Sequence, residues 1–280
     1  MNRSRLFRLV ALAVVVITAA GTLAIAQRGR GYRREFRPGD VVDRGGVPEW
    51  KNDEQFKDDV LIFTRVRYKS WEGGWGGRGG KWATDYPDAD LNLAYRLQQL
   101  TTVESDPNGR VIELTDDALF DSPLIYLVEP GRMYLEEDEV LALRKYCLNG
   151  GFLWVDDFWG EDEWHNFYEN IKRVFPDREP EELPLAHPIF HCVYDLKVKP
   201  QIPSIHAWYA GHTTERWDAQ EAHYRAIKDD KGRIMALICH NTDIGDGWER
   251  EGMDPGYFKE FSEKYSYPMG INIVTYAMTH

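Results

Sequence analysis

The sequence lacks the short motifs that mark the best-known nucleotide-binding and nucleophilic enzymes. It contains no G-x-S-x-G and no P-loop. The glycine-rich stretch from Gly73 to Gly80 follows a predicted strand, but tryptophan interrupts it and it does not resemble a phosphate cradle. These absences argue against a P-loop NTPase and a nucleophile-elbow serine hydrolase, and the sequence predicts no nucleotide cofactor.

Cysteine is scarce, and the sequence has only Cys147, Cys192 and Cys239. In an oxidising compartment three cysteines allow one disulfide and leave an odd thiol. Cys147 lies within a helix pattern, and Cys239 lies near the end of an apolar strand pattern. Both are therefore predicted to be buried, small apolar side chains.

A recognisable metal-binding pattern is also missing. His187 and His191 are four residues apart, but Pro188 lies between them and no third ligand accompanies them. The segment from Asp243 to Gly247 lacks the full calcium-loop pattern. The sequence therefore predicts no metal site and no cofactor.

The sequence has fewer basic than acidic residues. Its long apolar runs are confined to the N-terminus. Arg3, Arg5 and Arg8 precede an apolar stretch, Leu9–Ala26, which ends in an A-x-A cleavage pattern. Residues 1–26 are thus predicted to be a signal peptide, so that the protein is exported to the periplasm or beyond the cell. The alternative is an uncleaved anchor in the inner membrane, because eighteen apolar residues almost span a bilayer.

Without residues 1–26, 31 lysines and arginines remain against 46 acidic residues, a net charge of −15. This balance argues against nucleic acid or an anionic membrane as the main partner of the folded domain. Residues 27–58 form a polar, arginine-rich stretch, which predicts a linking arm before one domain over residues 59–280. The arm could also contact anionic envelope polymer or lipid headgroups.

The domain is organised around the stretch from Asn149 to Gly160. Two glycines end a helix, Phe152–Val155 form an apolar run, and Asp156 and Asp157 follow it. Such a run is typical of a parallel strand that is covered on both faces. Further strands are predicted at Val60–Val66, Val111–Leu114, Pro123–Val128, Tyr224–Lys228 and Arg233–His240, and helices at Asp90–Thr102, Glu136–Leu148, Glu161–Phe175 and Pro268–Met278. This alternation predicts one doubly wound, mostly parallel α/β sheet.

Four loops should leave these strands at one edge of the sheet, namely 68–90, 129–135, 156–164 and 240–252. In open α/β sheets, ligands bind at this carboxyl edge. Aromatic rings and acidic or amide groups suit sugars and other polyhydroxylated ligands, because rings stack and acids accept from hydroxyls. The predicted ligand-binding residues are Arg67, Trp71, Trp75, Trp82, Asp156, Asp157, Trp159, Asn241, Asp243 and Trp248. The alternative is that the tryptophans close the end of the sheet and the acids cap helices.

Asp156 and Asp157 are adjacent, so on an extended strand they point to opposite faces and form no ready acid–base pair. A helix cap is the simpler role for at least one of them. A hydrolase would need His240 or His187 within hydrogen-bond reach of one aspartate.

Several stretches resemble an uncharacterised family of exported bacterial proteins, a domain of unknown function related to the class I glutamine amidotransferase-like superfamily. The matching stretches are Phe63–Tyr68, Leu143–Tyr146, Asn149–Asp157, His187–Phe190 and Gly270–Ile273. The resemblance implies a three-layer, flavodoxin-like fold over residues 58–280 and brings no established activity. It also implies that the superfamily's cysteine nucleophile would lie in the turn after Val155, where this sequence has Asp156 and Asp157.

The favoured hypothesis is therefore a non-amidotransferase binding module, with an envelope or carbohydrate-like ligand or an envelope protein as its partner. A hydrolase that uses Asp156 or Asp157 is one alternative. A structural module of an envelope complex, anchored through the arginine-rich arm, is the other.

Overall fold

The computed structural model describes residues 44–71 and 80–280, without the side chains of residues 56–58. Seven strands form one sheet in the order β3-β1-β4-β6-β9-β8-β7, and β2 pairs with β5 in a separate two-stranded ribbon. The strands are β1 (Thr64–Arg67), β2 (Lys69–Ser70), β3 (Arg110–Glu113), β4 (Leu124–Val128), β5 (Met133–Tyr134), β6 (Phe152–Asp156), β7 (Glu181–Glu182), β8 (His223–Lys228) and β9 (Ile234–His240).

The sheet is mostly parallel. Strands β3, β1, β4, β6 and β9 run in one direction, whereas β8 is antiparallel to both of its neighbours. Numbered along the chain, the five parallel strands follow the spatial order 2-1-3-4-5. The chain therefore reverses its direction of winding between β1 and β4, and a crevice is expected at their carboxyl ends.

Helices cover both faces of the sheet and make three layers. Helices α1 (Asp88–Leu100) and α7 (Tyr267–Thr279) share one core cluster with Trp154, whereas α2 (Glu137–Leu148) and α3 (Gly160–Val174) share the other with Leu153. The shorter helices are α4 (Ile205–Tyr209), α5 (Asp246–Glu249), α6 (Pro255–Tyr257), a π-helix (Phe258–Ser266) and 3₁₀ segments at Glu54–Asp59, Lys81–Ala83, Asp117–Asp121, Pro130–Arg132 and Pro188–Phe190.

Strand β6 is buried along its whole length, as the apolar run predicts. Phe152 and Trp154 pack into one core, and Leu153 and Val155 pack into the other. Each such side chain contributes about 1.5–3 kcal/mol when it is buried. Gly151 tolerates no side chain before this strand, because a Cβ there would lie 2.3 Å from the Tyr146 ring.

One local prediction is wrong at the beginning of the domain. Strand β1 begins at Thr64 and not at Val60, because Leu61 makes only an isolated bridge with Ser105. Helix α1 has no side-chain cap at its N-cap residue Pro87, and the carboxylate of Asp90 in its first turn binds Arg65. In the loop 240–252, residues 246–249 form the short helix α5.

The described end of the predicted arm lies on the domain. Arg44 donates to the carbonyl of Pro107, and the Trp50 indole donates to the carbonyl of Ser105 at 2.8 Å. The predicted signal peptide and the first part of the arm lie outside the described residues. Cys147 and Cys239 are buried free thiols, as the patterns predict, and Cys192 is an exposed free thiol. Within residues 44–71 and 80–280, no helix has the length and apolar character needed to cross a membrane.

Candidate functional site

The four loops that follow strands β1, β4, β6 and β9 meet at the carboxyl edge of the sheet, as the strand assignments predict. Each loop contributes one residue other than glycine with a positive φ angle. Within the described ranges, these are the only ones: Asp85 (62°), Glu129 (47°), Asp157 (56°) and Asn241 (61°). Strained backbone of this kind clusters at functional sites, because packing must hold it in place.

Below this edge lies a cluster of buried carboxylates. One oxygen each of Asp85, Asp157 and Asp243 lies within 4.8 Å of the other two. All three residues are buried, and burial raises the pKa of each carboxyl well above its usual value. Neighbouring acids raise these pKa values further, and Asp85 and Asp157 each raise that of Asp243. The cluster therefore disfavours three full negative charges unless a bound cation or protons offset them.

Asp156, the last residue of β6, lies beside this cluster and receives three hydrogen-bond donors on Oδ2, whereas its buried Oδ1 has no partner among the described residues. Its Oδ2 accepts hydrogen bonds from the Tyr126 hydroxyl and from the backbone N–H groups of Ile244 and Gly245, at 3.0–3.1 Å. Burial raises the pKa of Asp156 to about 7, and these hydrogen bonds oppose the rise. The side chain thus ties the loop after β9 to the end of β6.

Neither aspartate caps α3, so that prediction is wrong. The Asp157 carboxylate instead accepts from the Trp159 indole at 3.0 Å. The first N–H groups near the helix donate to Glu163, Asn241 and Asp218. Asn241 also donates to the carbonyl of Glu221, so both ends of its amide form hydrogen bonds and join two loops.

The histidines do not complete an acid–base pair. Both ring nitrogens of His240 are engaged, one with the Gly160 carbonyl and the other with the Arg225 guanidinium. Burial lowers the pKa of His240 to about 3. His187 packs against Tyr276 and lies near Lys228, which pairs with the first residue of β9 at the opposite edge. The structure therefore does not form the pair that the hydrolase hypothesis requires.

The predicted tryptophans occupy different environments. Trp82, Trp159 and Trp248 are buried, so neighbouring side chains cover their rings. Among the predicted tryptophans that the structure describes, Trp71 alone is exposed, with 65% of its surface accessible. Its ring packs edge-on against Tyr134, 4.8 Å between centroids. Trp75 lies outside the described residues.

A cleft of about 290 Å³ lies where β1 and β3 end, beside the first turn of α2. Its lining includes the basic side chains of Arg67 and Lys69, the Trp82 ring and the acidic side chains of Glu113, Glu136, Asp138 and Glu139. Arg67 forms an ion pair with Glu113, and Lys69 lies 3.5 Å from Glu136. The cleft therefore presents charged donors and acceptors close to an exposed aromatic ring two residues beyond Lys69.

Arg65 holds the loop before α1 in place. Its guanidinium binds Asp90 through two nitrogens and donates to the carbonyls of Trp82 and Thr84. Because Thr84 precedes Asp85, this ion pair fixes the backbone that carries one of the three clustered carboxylates. Both side chains are almost fully buried.

Sequence reasoning missed Asp85, Glu129 and Asp246 as members of this edge. Asp85 lies in a loop whose sequence is dominated by tryptophans and glycines, and no motif marks it as a site residue. The available signal was position alone, because each of these acids lies in a segment that follows a parallel strand.

The fold and this edge define a three-layer α/β domain with a mostly parallel sheet and an acidic carboxyl edge. The chain belongs to the family described as a domain of unknown function (DUF4159), whose model matches residues 62–278. A comparison with curated proteins finds no match. The family description supplies no activity, so the geometry of the site is what a functional proposal can use.

Proposed function

We propose that the protein is a binding module that recognises a small polyhydroxylated or carbohydrate-like ligand of the cell envelope at the carboxyl edge of its sheet. The observation that carries this proposal is the polar cleft beside exposed Trp71. The cleft is lined by Arg67 and Lys69 and by carboxylates that include those at the start of α2, and Trp71 follows Lys69 by two residues.

The chemistry of the cleft suits hydroxyl groups. Guanidinium and ammonium groups donate hydrogen bonds, carboxylates accept them, and a sugar hydroxyl does both. Lys69 and Tyr134 pair on the β2–β5 ribbon, and Trp71 directly follows β2 and packs against Tyr134. A ring is therefore available for an apolar sugar face near the charged groups. A volume of about 290 Å³ matches the lower end of the range for small-ligand sites.

The proposal predicts that Trp71→Ala and Arg67→Ala each weaken ligand binding by at least tenfold, equivalent to about 1.4 kcal/mol. The measurement is a binding screen against glycans and cell-wall fragments, followed by titration calorimetry of the best ligand. Trp217→Ala is the matched control, because it also removes an exposed tryptophan, and Trp217 does not line the cleft. Absence of any ligand, or an equal affinity in all three variants, would contradict the proposal.

As part of this proposal, the domain has a flavodoxin-like fold related to that of the class I glutamine amidotransferase-like superfamily. The strand order 2-1-3-4-5 supports this relationship, because that order places a ligand crevice between β1 and β4, the first and third parallel strands along the chain. Asp157, with φ at 56°, occupies the turn after β6 in which the resemblance expects a cysteine nucleophile. Without that cysteine and without a partner histidine, the proposal includes no amidotransferase or hydrolase chemistry.

Export is the second part of the proposal, supported by the arginines, the apolar stretch and the A-x-A pattern of residues 1–26. Expression in a bacterial host should give an exported protein whose intact mass corresponds to a chain that begins at Gln27. A mass that retains residues 1–26, together with recovery in the membrane fraction, would instead indicate an anchor.

A further inference from the structure

Three carboxylates from distant parts of the chain converge without a cationic partner. Asp85, Asp157 and Asp243 each expose only 4% of their surface, and one oxygen from each lies within 4.8 Å of the others. Among the described side chains of residues 44–55, 59–71 and 80–280, no lysine, arginine or histidine forms an ion pair with them. The nearby bases Arg65, Lys81 and Arg250 are paired with other acids.

One buried oxygen in this cluster has no partner. Asp85 Oδ2 accepts no hydrogen bond, although it is inaccessible to solvent. A Cβ placed on Gly245 would lie 2.9 Å from this oxygen, 2.9 Å from the Tyr126 hydroxyl and 3.6 Å from Asp243 Oδ1. Asp85 Oδ2 and Asp243 Oδ1 therefore both lie within 3.6 Å of one point beside Gly245. A buried acceptor left without a partner destabilises the folded protein, more so if it is charged, so a partner is to be expected.

The neighbouring acids Asp246 and Glu249 differ, because other groups of the protein bind them. Asp246 accepts from the Ile205 N–H, the Tyr257 hydroxyl and the Arg250 guanidinium. Glu249 also forms an ion pair with Arg250. The protein thus supplies Asp246 with three donors and Glu249 with an ion pair. Asp157 and Asp243 accept from the Trp159 indole and the Asp246 N–H, and none of the three clustered carboxylates forms an ion pair with a described base.

We propose that Asp85, Asp157 and Asp243 bind a hard divalent cation, Ca²⁺ or Mg²⁺. Only oxygen ligands are present, and oxygen ligands are those that these ions prefer. Oxygens up to 4.8 Å apart can lie on opposite sides of one ion, because Ca²⁺–O distances are about 2.3–2.6 Å. The ion would join the loops after β1, β6 and β9. This inference goes beyond the ligand cleft and does not depend on it.

The test uses the full-length protein after treatment with EDTA and dialysis. Titration calorimetry with CaCl₂ and with MgCl₂ should show one site for at least one ion, and the same ion should raise the midpoint of thermal unfolding. Asp85→Asn and Asp243→Asn should each lower the affinity at least tenfold. Without the ion, each variant should unfold at or above the wild-type temperature, because one charge is removed from a like-charged cluster. A purely structural role for these side chains would not give that combination.

Asp230→Asn is the matched control, because it makes the same charge change at a side chain that is 90% exposed at the opposite edge. It should bind the ion with wild-type affinity. If the cluster variants fail to fold, anomalous diffraction from wild-type crystals soaked in MnCl₂ replaces them, with a peak expected among the three carboxylates. The absence of binding at about 5–10 mM of either ion would overturn the proposal, because even weak extracellular calcium sites have dissociation constants of about 1 mM or below. So would unchanged affinity in both folded variants, or a manganese peak elsewhere.

Discussion

Asp90→Ala should destabilise the protein by about 3–5 kcal/mol, because it leaves the Arg65 guanidinium buried without a counter-charge. Arg65 has no exposed surface, and two of its nitrogens bind the Asp90 carboxylate at 2.5–3.1 Å. The free energy of unfolding from urea denaturation measures the effect. The loop that carries Asp85 should also be destabilised, because the same guanidinium donates a hydrogen bond to the Thr84 carbonyl.

Glu113→Ala is the control for this prediction. Glu113 forms an ion pair with Arg67, which lies two residues after Arg65 on β1. Both side chains of this pair are at least one-third exposed. An ion pair of that kind contributes about 0–1 kcal/mol, so the variant should remain close to the wild type. Equal losses in Asp90→Ala and Glu113→Ala would show that burial does not govern the contribution of these pairs.

Trp248→Ala should lower the free energy of unfolding by about 3–5 kcal/mol, the usual cost of truncating a large buried aromatic side chain. The Trp248 ring is fully buried and packs edge-on against Trp154 at 5.4 Å between centroids. Gly270 on α7 lies directly against it, because a Cβ there would be 2.6 Å from the indole. Thermal and urea unfolding should both report the loss.

Trp217→Ala separates this effect from the general removal of a tryptophan. Trp217 is 88% exposed, and surface substitutions away from special features change stability by less than about 0.5 kcal/mol. If Trp248→Ala remained as stable as Trp217→Ala while losing ligand affinity, Trp248 would be a binding residue and not part of the core.

Much of the architecture could be predicted from local patterns. The run Phe152–Val155 is apolar at every position, which predicts a strand covered on both faces, and β6 lies in the middle of the sheet with both cores against it. Alternating strands and helices predicted parallel neighbours, and parallel strands bring their carboxyl ends to one edge. The convergence of the four loops followed from that rule.

The fate of individual side chains at the edge could not be predicted in the same way. Trp71 and Trp248 are both tryptophans in polar loops, yet one is exposed and the other lies between the sheet and α7. Burial depends on which helix packs over a loop, and no local pattern specifies that. Asp90 lies in the first turn of α1, where capping is the usual role of an acid, but a long-range ion pair uses it instead.

By itself, the sequence determined the order of the elements, the central strand and the edge at which the loops meet, because hydrophobic periodicity and turn residues are local properties. Only the tertiary structure decided which acids from that edge share one buried space. Asp85, Asp157 and Asp243 are far apart in the chain and follow different strands, so their distances depend on strand order and backbone conformation together. The charge cluster is thus a property of the folded sheet and not of any segment within it.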